Sequence, residues 1–375
     1  MSSRRTGVAD LRLHTGVAPS WLVSRMEKLA SKVFALIYEE YGEDEVLARL
    51  SDPLFFQACS NVLGYDWDSS GATTVTCGVL KKVFDSEDLG LRAAGGKGKR
   101  SRHVLSEVRK IGEDFGLSQQ EVSTITYASR MTAKVDSAAI QAGYQIYHHM
   151  IFVSRQGKWA VIQQGMRTDE RLARRYHWLS SGIKSFVDSP HRGIVGQKAH
   201  DSVLDMTARQ SEPCRALSTD LVSEGPERIR RLLNAVRHPN QETLTNWMEG
   251  GDRGEPMPHY SVIPQRMDWD ALREAYMIRP TSYEELLAIR GIGPATVRGL
   301  ALISEIVFGT APSWRDPVRF SFAYGGKDGI PFPVDKNAMD ESIRVLADAV
   351  ESAKVGDLER LRALRRLRRF VTSIL

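Results

Sequence analysis

The chain has 375 residues, 42% hydrophobic and 26% charged, with a formal net charge of +5. That is enough apolar sequence for a packed core and too much for a disordered chain, and the basic balance suits a polyanionic partner. No apolar run is long enough for a membrane span, and the polar start Met1-Ser-Ser-Arg-Arg offers no signal peptide, so the cytoplasm is the expected location and no membrane partner is expected. Cys59, Cys77 and Cys214 are widely spaced and form no Cys-x-x-Cys, which predicts buried thiols and argues against a disulfide framework or a zinc knuckle; no cofactor is expected.

In chain order, Leu22, Met26, Leu29, Val33 and Leu36 recur at helical spacing and predict a helix over 18–41 that Gly42 closes. A second helix follows Asp52-Pro53, an N-cap and first-turn pair. The loop from Ala94 to Arg102 is glycine-rich and basic but lacks the spacing of a nucleotide-binding P-loop, so no nucleotide cofactor is expected. Lys97, Lys99 and Arg100 there suit either a cradle for DNA phosphates or a solvated turn. Helices are predicted over 101–115, capped by Ser101, and over 118–130, where Ser118 and Glu121 make a capping box.

Aromatic and β-branched residues then predict a β-hairpin, with strands 144–154 and 159–166. With Gln156-Gly157 as a two-residue turn, Val153 faces Ala160, His149 faces Gln164 and Met150 faces Gln163. Near the turn the strands are apolar. Their far end carries Tyr147, His148, His149, Gln163 and Gln164, costly to bury unpaired. With His177 and Trp178 this cluster reads either as the pocket for a flipped base or as an internal polar network. Adjacent strand residues point to opposite faces, so a metal site made from His148, His149 and Asp136 is disfavoured and none is expected.

Helical periodicity returns at 169–180, 198–222 and 226–236, and glycines and prolines mark 249–266 as a linker. Beyond it come a helix near 268–277, a loop at 309–334 and two closing helices. The expected fold is predominantly α-helical with one central β-hairpin. It has a helical domain over 1–248 and a second domain over 267–375.

The segment from Tyr283 to Leu302 has the clearest physical logic. Leu286, Leu287 and Ile289 give a short helix an apolar face; Gly291 and Gly293 permit a sharp turn; Pro294 starts the next helix, which Val297, Leu300 and Ala301 bury. Backbone N–H groups at such a helix start suit a phosphate oxygen. The pattern L-x-x-I-x-G-I-G-P-x-T resembles the helix-hairpin-helix of DNA glycosylases, ligases and nucleases. The resemblance implies DNA contact through Gly291, Ile292, Gly293, Thr296 and Arg298, and a glycosylase-like helical architecture. In glycosylases with this motif an aspartate follows on a short Val-Asp segment, which points to Asp335 in Pro333-Val334-Asp335-Lys336 as the carboxylate that steadies the sugar cation; as residue chemistry, it is equally a helix N-cap. The gap to Asp335 is longer than in the simplest members, and Ala295 stands where strand-cleaving members have lysine.

From Arg5-Thr-Gly-Val-Ala-Asp10 through Gly325-Gly-Lys-Asp-Gly-Ile-Pro331 the chain also resembles an archaeal and bacterial family known only as a domain of unknown function, which implies no activity. Within Ala128 to Asp136, Lys134 could supply a Schiff-base nucleophile with Asp136 orienting it, or the two could form a surface ion pair. The expected function is a glycosylase-like DNA repair enzyme, with or without strand-cleaving lyase activity. A metal-dependent DNA nuclease and a non-enzymatic DNA-binding scaffold are the alternatives.

Overall fold

The computed structural model describes residues 18–64, 70–237, 263–264, 266–318, 336–353 and 356–374. The first helix, α1 (Ser20–Ser51), buries Met26, Leu29, Val33, Phe34 and Ile37 on one stripe. Gly42, at φ +79, kinks this helix without ending it, and a second stripe of Val46, Leu47 and Leu50 continues into the core. The Asp52 carboxylate accepts from Leu54 N at 2.7 Å and Phe55 N at 2.9 Å, starting α2 (Pro53–Leu63) as the sequence predicts. Next come α3 (Gly71–Ser86), β1 (Leu91–Lys97), α4 (Val104–Phe115) and α5 (Gln119–Lys134). The Ser118–Glu121 capping box forms. Ser101 does not cap α4: it lies in a 3₁₀ turn over Gly98–His103 and donates to Gly98 O at 2.7 Å.

A π-helical turn, Val135–Ala139, leads to β2 (Ile140–Gln141), β3 (Gln145–Ser154), β4 (Trp159–Arg167), β5 (Leu172–Leu179), β6 (Gly193–Gly196) and β7 (Leu204–Asp205). The expected β-hairpin is present as β3–β4, but it belongs to a five-stranded antiparallel sheet ordered β1-β3-β4-β5-β6. Its turn is Arg155-Gln156-Gly157, three residues closed by Ser154 N on Lys158 O at 2.8 Å, with Gly157 at φ +75. The extra residue moves the register by one from the expected pairing. Val153 faces Trp159, His149 faces Gln163 and His148 faces Gln164, with a bulge between Ile146 and His148. β5 replaces the helix expected over 169–180. All eight of its residues are buried, because helices cover both faces of the sheet, so the period-two alternation that marks a strand is missing.

After β7 the chain is helical: α6 (Glu212–Ser223), α7 (Pro226–Arg237), α8 (Trp269–Ile278), α9 (Tyr283–Ala288), α10 (Pro294–Phe308), α11 (Lys336–Ser352) and α12 (Asp357–Ile374). The fold is thus mostly helical around a small sheet with a core on each face. One core packs Met150, Phe152, Ala160 and Ile162 against α1, α2, α3, α11 and α12. The other packs Ile151, Val153, Val161 and Trp178 with α4 and α5, and it continues through Cys214, Leu221 and Ile229 to Leu272, Leu286 and Leu300. Most of 249–266 lies outside the described residues; on either side of it α6 and α7 share that second core with α8, α9 and α10. All three cysteines are buried thiols, and among the described residues no helix is long and apolar enough to cross a membrane.

Candidate functional site

The turn between α9 and α10 is built by two glycines in different ways. Gly291 has φ +87, and a Cβ there would lie 2.6 Å from Ala271 Cβ and 2.7 Å from the Asp268 carboxylate, so both conformation and close approach require glycine. Gly293 is extended at φ −111 and is the N-cap of α10, with no side chain capping the helix and Pro294 at its first turn. The first-turn N–H groups of α10 therefore lack intrahelical partners, beside the exposed Gly291 and Pro294. Ile292 and Thr296 are buried and anchor the turn rather than face solvent.

Lys134 reaches this turn from α5. Its ammonium donates to Ile289 O at 3.2 Å, and burial, with the neighbouring Arg130 guanidinium, lowers its pKa below the ordinary lysine value. Arg298 is turned inward: its Nε donates to Gln141 Oε1 at 2.9 Å and its guanidinium lies over the Trp314 ring at 5.5 Å. The same Gln141 donates to Pro294 O at 2.8 Å, tying β2 to the start of α10. Lys97, Lys99 and Arg100 are exposed on a separate element, at the end of β1 and the 3₁₀ turn after it.

Asp136 and Lys134 do not form a pair. The Asp136 carboxylate is fully buried and accepts from Trp178 Nε1 at 3.0 Å, from Gln163 Nε2, and from His191 Nε2 at 2.5 Å. Gln163 also donates to Thr132 O at 2.9 Å and accepts from His149 Nδ1 at 2.8 Å, and His149 Nε2 meets the Ser129 hydroxyl at 2.9 Å. A continuous hydrogen-bonded chain thus runs from α5 across the sheet to His191, and desolvation keeps the His149 pKa below its usual value.

His191 opens onto a polar cavity of about 560 Å³, lined also by Ser189, Asp205, Thr207, Arg209 and Arg315. Asp205 belongs to β7, which pairs with β2, so cavity and α10 turn are joined through Ile140, Gln141 and their partners. Asp205 accepts from Thr207 N at 2.8 Å and Thr207 Oγ1 at 2.6 Å, and burial raises its pKa above the usual carboxylate value.

The remaining expected pocket residues lie on the opposite face of the sheet. One lateral row carries Lys97, His148, Gln164 and Arg175, and Tyr147 hydrogen-bonds Gln164 there. His177, one pair further along β5, accepts from Arg175 Nε at 2.8 Å. Arg175 is fully buried, its other hydrogen bonds going to Thr73 and Gln57, and burial pushes its pKa down to about 9. His148 is buried with neither ring nitrogen bonded, and desolvation lowers its pKa to about 3. The seven residues expected to line one base pocket therefore divide, with His149, Gln163 and Trp178 on the face of Asp136. The Trp178 ring packs 4.1 Å from His191, centroid to centroid, and is fully buried.

Asp335 lies outside the described residues. Sequence reasoning missed His191, Asp205 and the buried pair Arg174–Asp316, whose oxygens and nitrogens meet at 2.9 and 2.6 Å. The one local cue to His191 was its place in the turn-forming stretch Asp188-Ser-Pro-His191. Among the described residues no three His, Cys, Asp or Glu side chains are grouped to hold a metal ion.

Compared with curated proteins and with solved structures, the chain matches none. Residues 7–334 match the model of the family described as "Protein of unknown function (DUF763)", and by that coverage the chain is a member of the DUF763 family.

Proposed function

We propose that this chain is a DNA repair enzyme of the glycosylase kind, which grips backbone phosphates with the α9–α10 turn as a helix-hairpin-helix and removes a base held nearby. The observation that carries this reading is the turn itself. Gly291 at φ +87 delivers the chain to a helix start with no side-chain cap, beside the exposed Gly291 and Pro294. The positive end of a fifteen-residue helix adds to its first-turn N–H donors, and the Lys134 ammonium, with Arg130 near it, reaches the same turn at Ile289 O. Contacts of this type hold phosphate and carry no sequence preference, which suits an enzyme that must scan DNA.

Fluorescence anisotropy with a labelled duplex tests the grip. Binding should weaken with salt, log Kd rising by about 0.9 per phosphate contact for each unit of log salt. Binding that ignores salt would remove the reading.

A lyase step at Lys134 is a second reading, favoured by that residue's half-buried position and lowered pKa. Borohydride trapping on duplex containing an abasic site tests it. A covalent adduct lost in Lys134→Ala supports it, and an adduct retained in that variant excludes Lys134.

A further inference from the structure

We infer that base release takes place in the cavity beside β7, with His191 as proton acceptor, Asp205 as proton donor and Asp136 as the residue that positions His191. The inference takes its substrate, one nucleotide unit of a DNA strand, from the reading above.

The tautomer of His191 follows from its partner. A carboxylate only accepts, so the 2.5 Å contact to Asp136 places the ring proton on Nε2. In the neutral ring Nδ1 then carries the lone pair; among the described residues it has no hydrogen-bond partner, and the ring lines the cavity. Asp136 cannot drift, because Trp178 and Gln163 hold its other oxygen and Gln163 is itself fixed by Thr132 and His149. The loop carrying His191 is pinned too. Ser189 is held at φ +46, a conformation costly for a residue with a side chain, by its N–H on Thr207 O at 2.8 Å.

Asp205 supplies the complementary group. Thr207 engages its Oδ1 through two hydrogen bonds, the Ala208 backbone N–H also reaches the carboxylate, and the residue lines the cavity. Burial favours its protonated form, and that is the form able to donate. Arg209 and Arg315 are exposed at the rim, where their guanidinium groups can hold the phosphates flanking a nucleotide on the floor. The cavity volume of about 560 Å³ falls within the range of small-molecule and cofactor sites.

The step balances without a metal or a lysine. His191 Nδ1 takes a proton from water as the water oxygen bonds to the anomeric carbon. The carbon–nitrogen bond breaks, its electron pair leaves with the base, and the base takes the Asp205 proton. The proton gained by His191 returns to Asp205 through solvent. The products are a free base and an abasic sugar in an unbroken strand.

The full chain is incubated with duplexes containing a single uracil, hypoxanthine or 8-oxoguanine, and products are read by mass spectrometry. Release of free base with the strand intact is expected from at least one duplex. His191→Gln and Asp205→Asn should each slow it at least about 100-fold, with duplex affinity unchanged. Asp136→Asn should slow release and abolish the single-tautomer ¹⁵N signature of His191, a readout that lost stability alone would not move. If His191→Gln does not fold, the wild-type imidazole spectrum decides: bare Nδ1 with Nε2–H supports the assignment, and Nδ1–H overturns it. Undiminished release by folded His191→Gln overturns the inference and leaves the glycosylase reading standing. A cut strand or a borohydride-trapped adduct during release overturns the water-driven step. No base released from any of the three duplexes, with binding intact, overturns the inference and the glycosylase reading together.

Discussion

Replacing Gly293 with aspartate separates a phosphate grip from a merely structural turn, because the two roles respond in opposite directions. Gly293 is the N-cap of α10 at φ −111, ψ −172, an extended conformation that any residue adopts. A Cβ there meets only Gly291 O at 3.7 Å, so the side chain fits without displacement. The new carboxylate would accept from the first-turn N–H groups and face the positive helix end. It should stabilise the fold by about 0.5–1 kcal/mol, a rise in Tm of roughly 1–2 °C. For DNA the same change removes the donors and adds a like charge. Each lost N–H to phosphate bond is worth about 1.5–3 kcal/mol, so affinity at low salt should fall about 10–100-fold. The salt slope should drop by roughly one. Gly293→Ala leaves the N–H groups open and should bind within about threefold of wild type. Anisotropy titrations and thermal melts on the three proteins read all of this. A Gly293→Asp protein that melts higher and binds DNA as tightly as wild type would refute the reasoning.

Two further predictions concern the interior. Asp316→Ala leaves Arg174 fully buried without its carboxylate, and chemical denaturation should show a loss of about 3–5 kcal/mol; a loss below about 1 kcal/mol would mean the pair is not sealed as described. His148 is neutral in the folded state, its pKa lowered to about 3 from 6.5. The unfolded chain therefore binds the extra proton first, and stability present above pH 6.5 is lost as pH falls towards 3, by about 2 kcal/mol at pH 5. His148→Leu removes that loss and leaves no orphaned partner, since neither ring nitrogen is bonded. Melts at pH 5 and 7 should show the variant less acid-sensitive than wild type, and equal sensitivity would contradict the assignment.

Local patterns in the sequence were read correctly where one short segment contains the whole cause. Asp52-Pro53, the Ser118–Glu121 box and the glycines before Pro294 each specify their own helix start, and each forms. The β-hairpin was legible from its composition, but its register hung on one turn residue: Gly157 makes the turn three residues long, and every pairing moves with it. β5 was illegible for a different reason. A strand covered on both faces loses alternation, and this one carries two adjacent arginines, Arg174 and Arg175, that are both fully buried. The site shows the same division. Asp136 stood out beside Lys134 by spacing, yet its partners are Gln163, Trp178 and His191, brought to it by the sheet and by the loop ahead of β6. No local pattern links His191 to Asp136 across a separation of 55 positions. The expected single pocket failed because His148 and His149 obey the strand period and leave on opposite faces.

The central claim, that the α9–α10 turn holds DNA by its backbone, is tested most directly by following backbone amide resonances during titration with a short duplex. The N–H signals of Gly291, Gly293, Ala295 and Thr296 should shift together, saturate at the affinity measured by anisotropy, and return as salt is raised. Saturable DNA binding that leaves these four amides unmoved would contradict it.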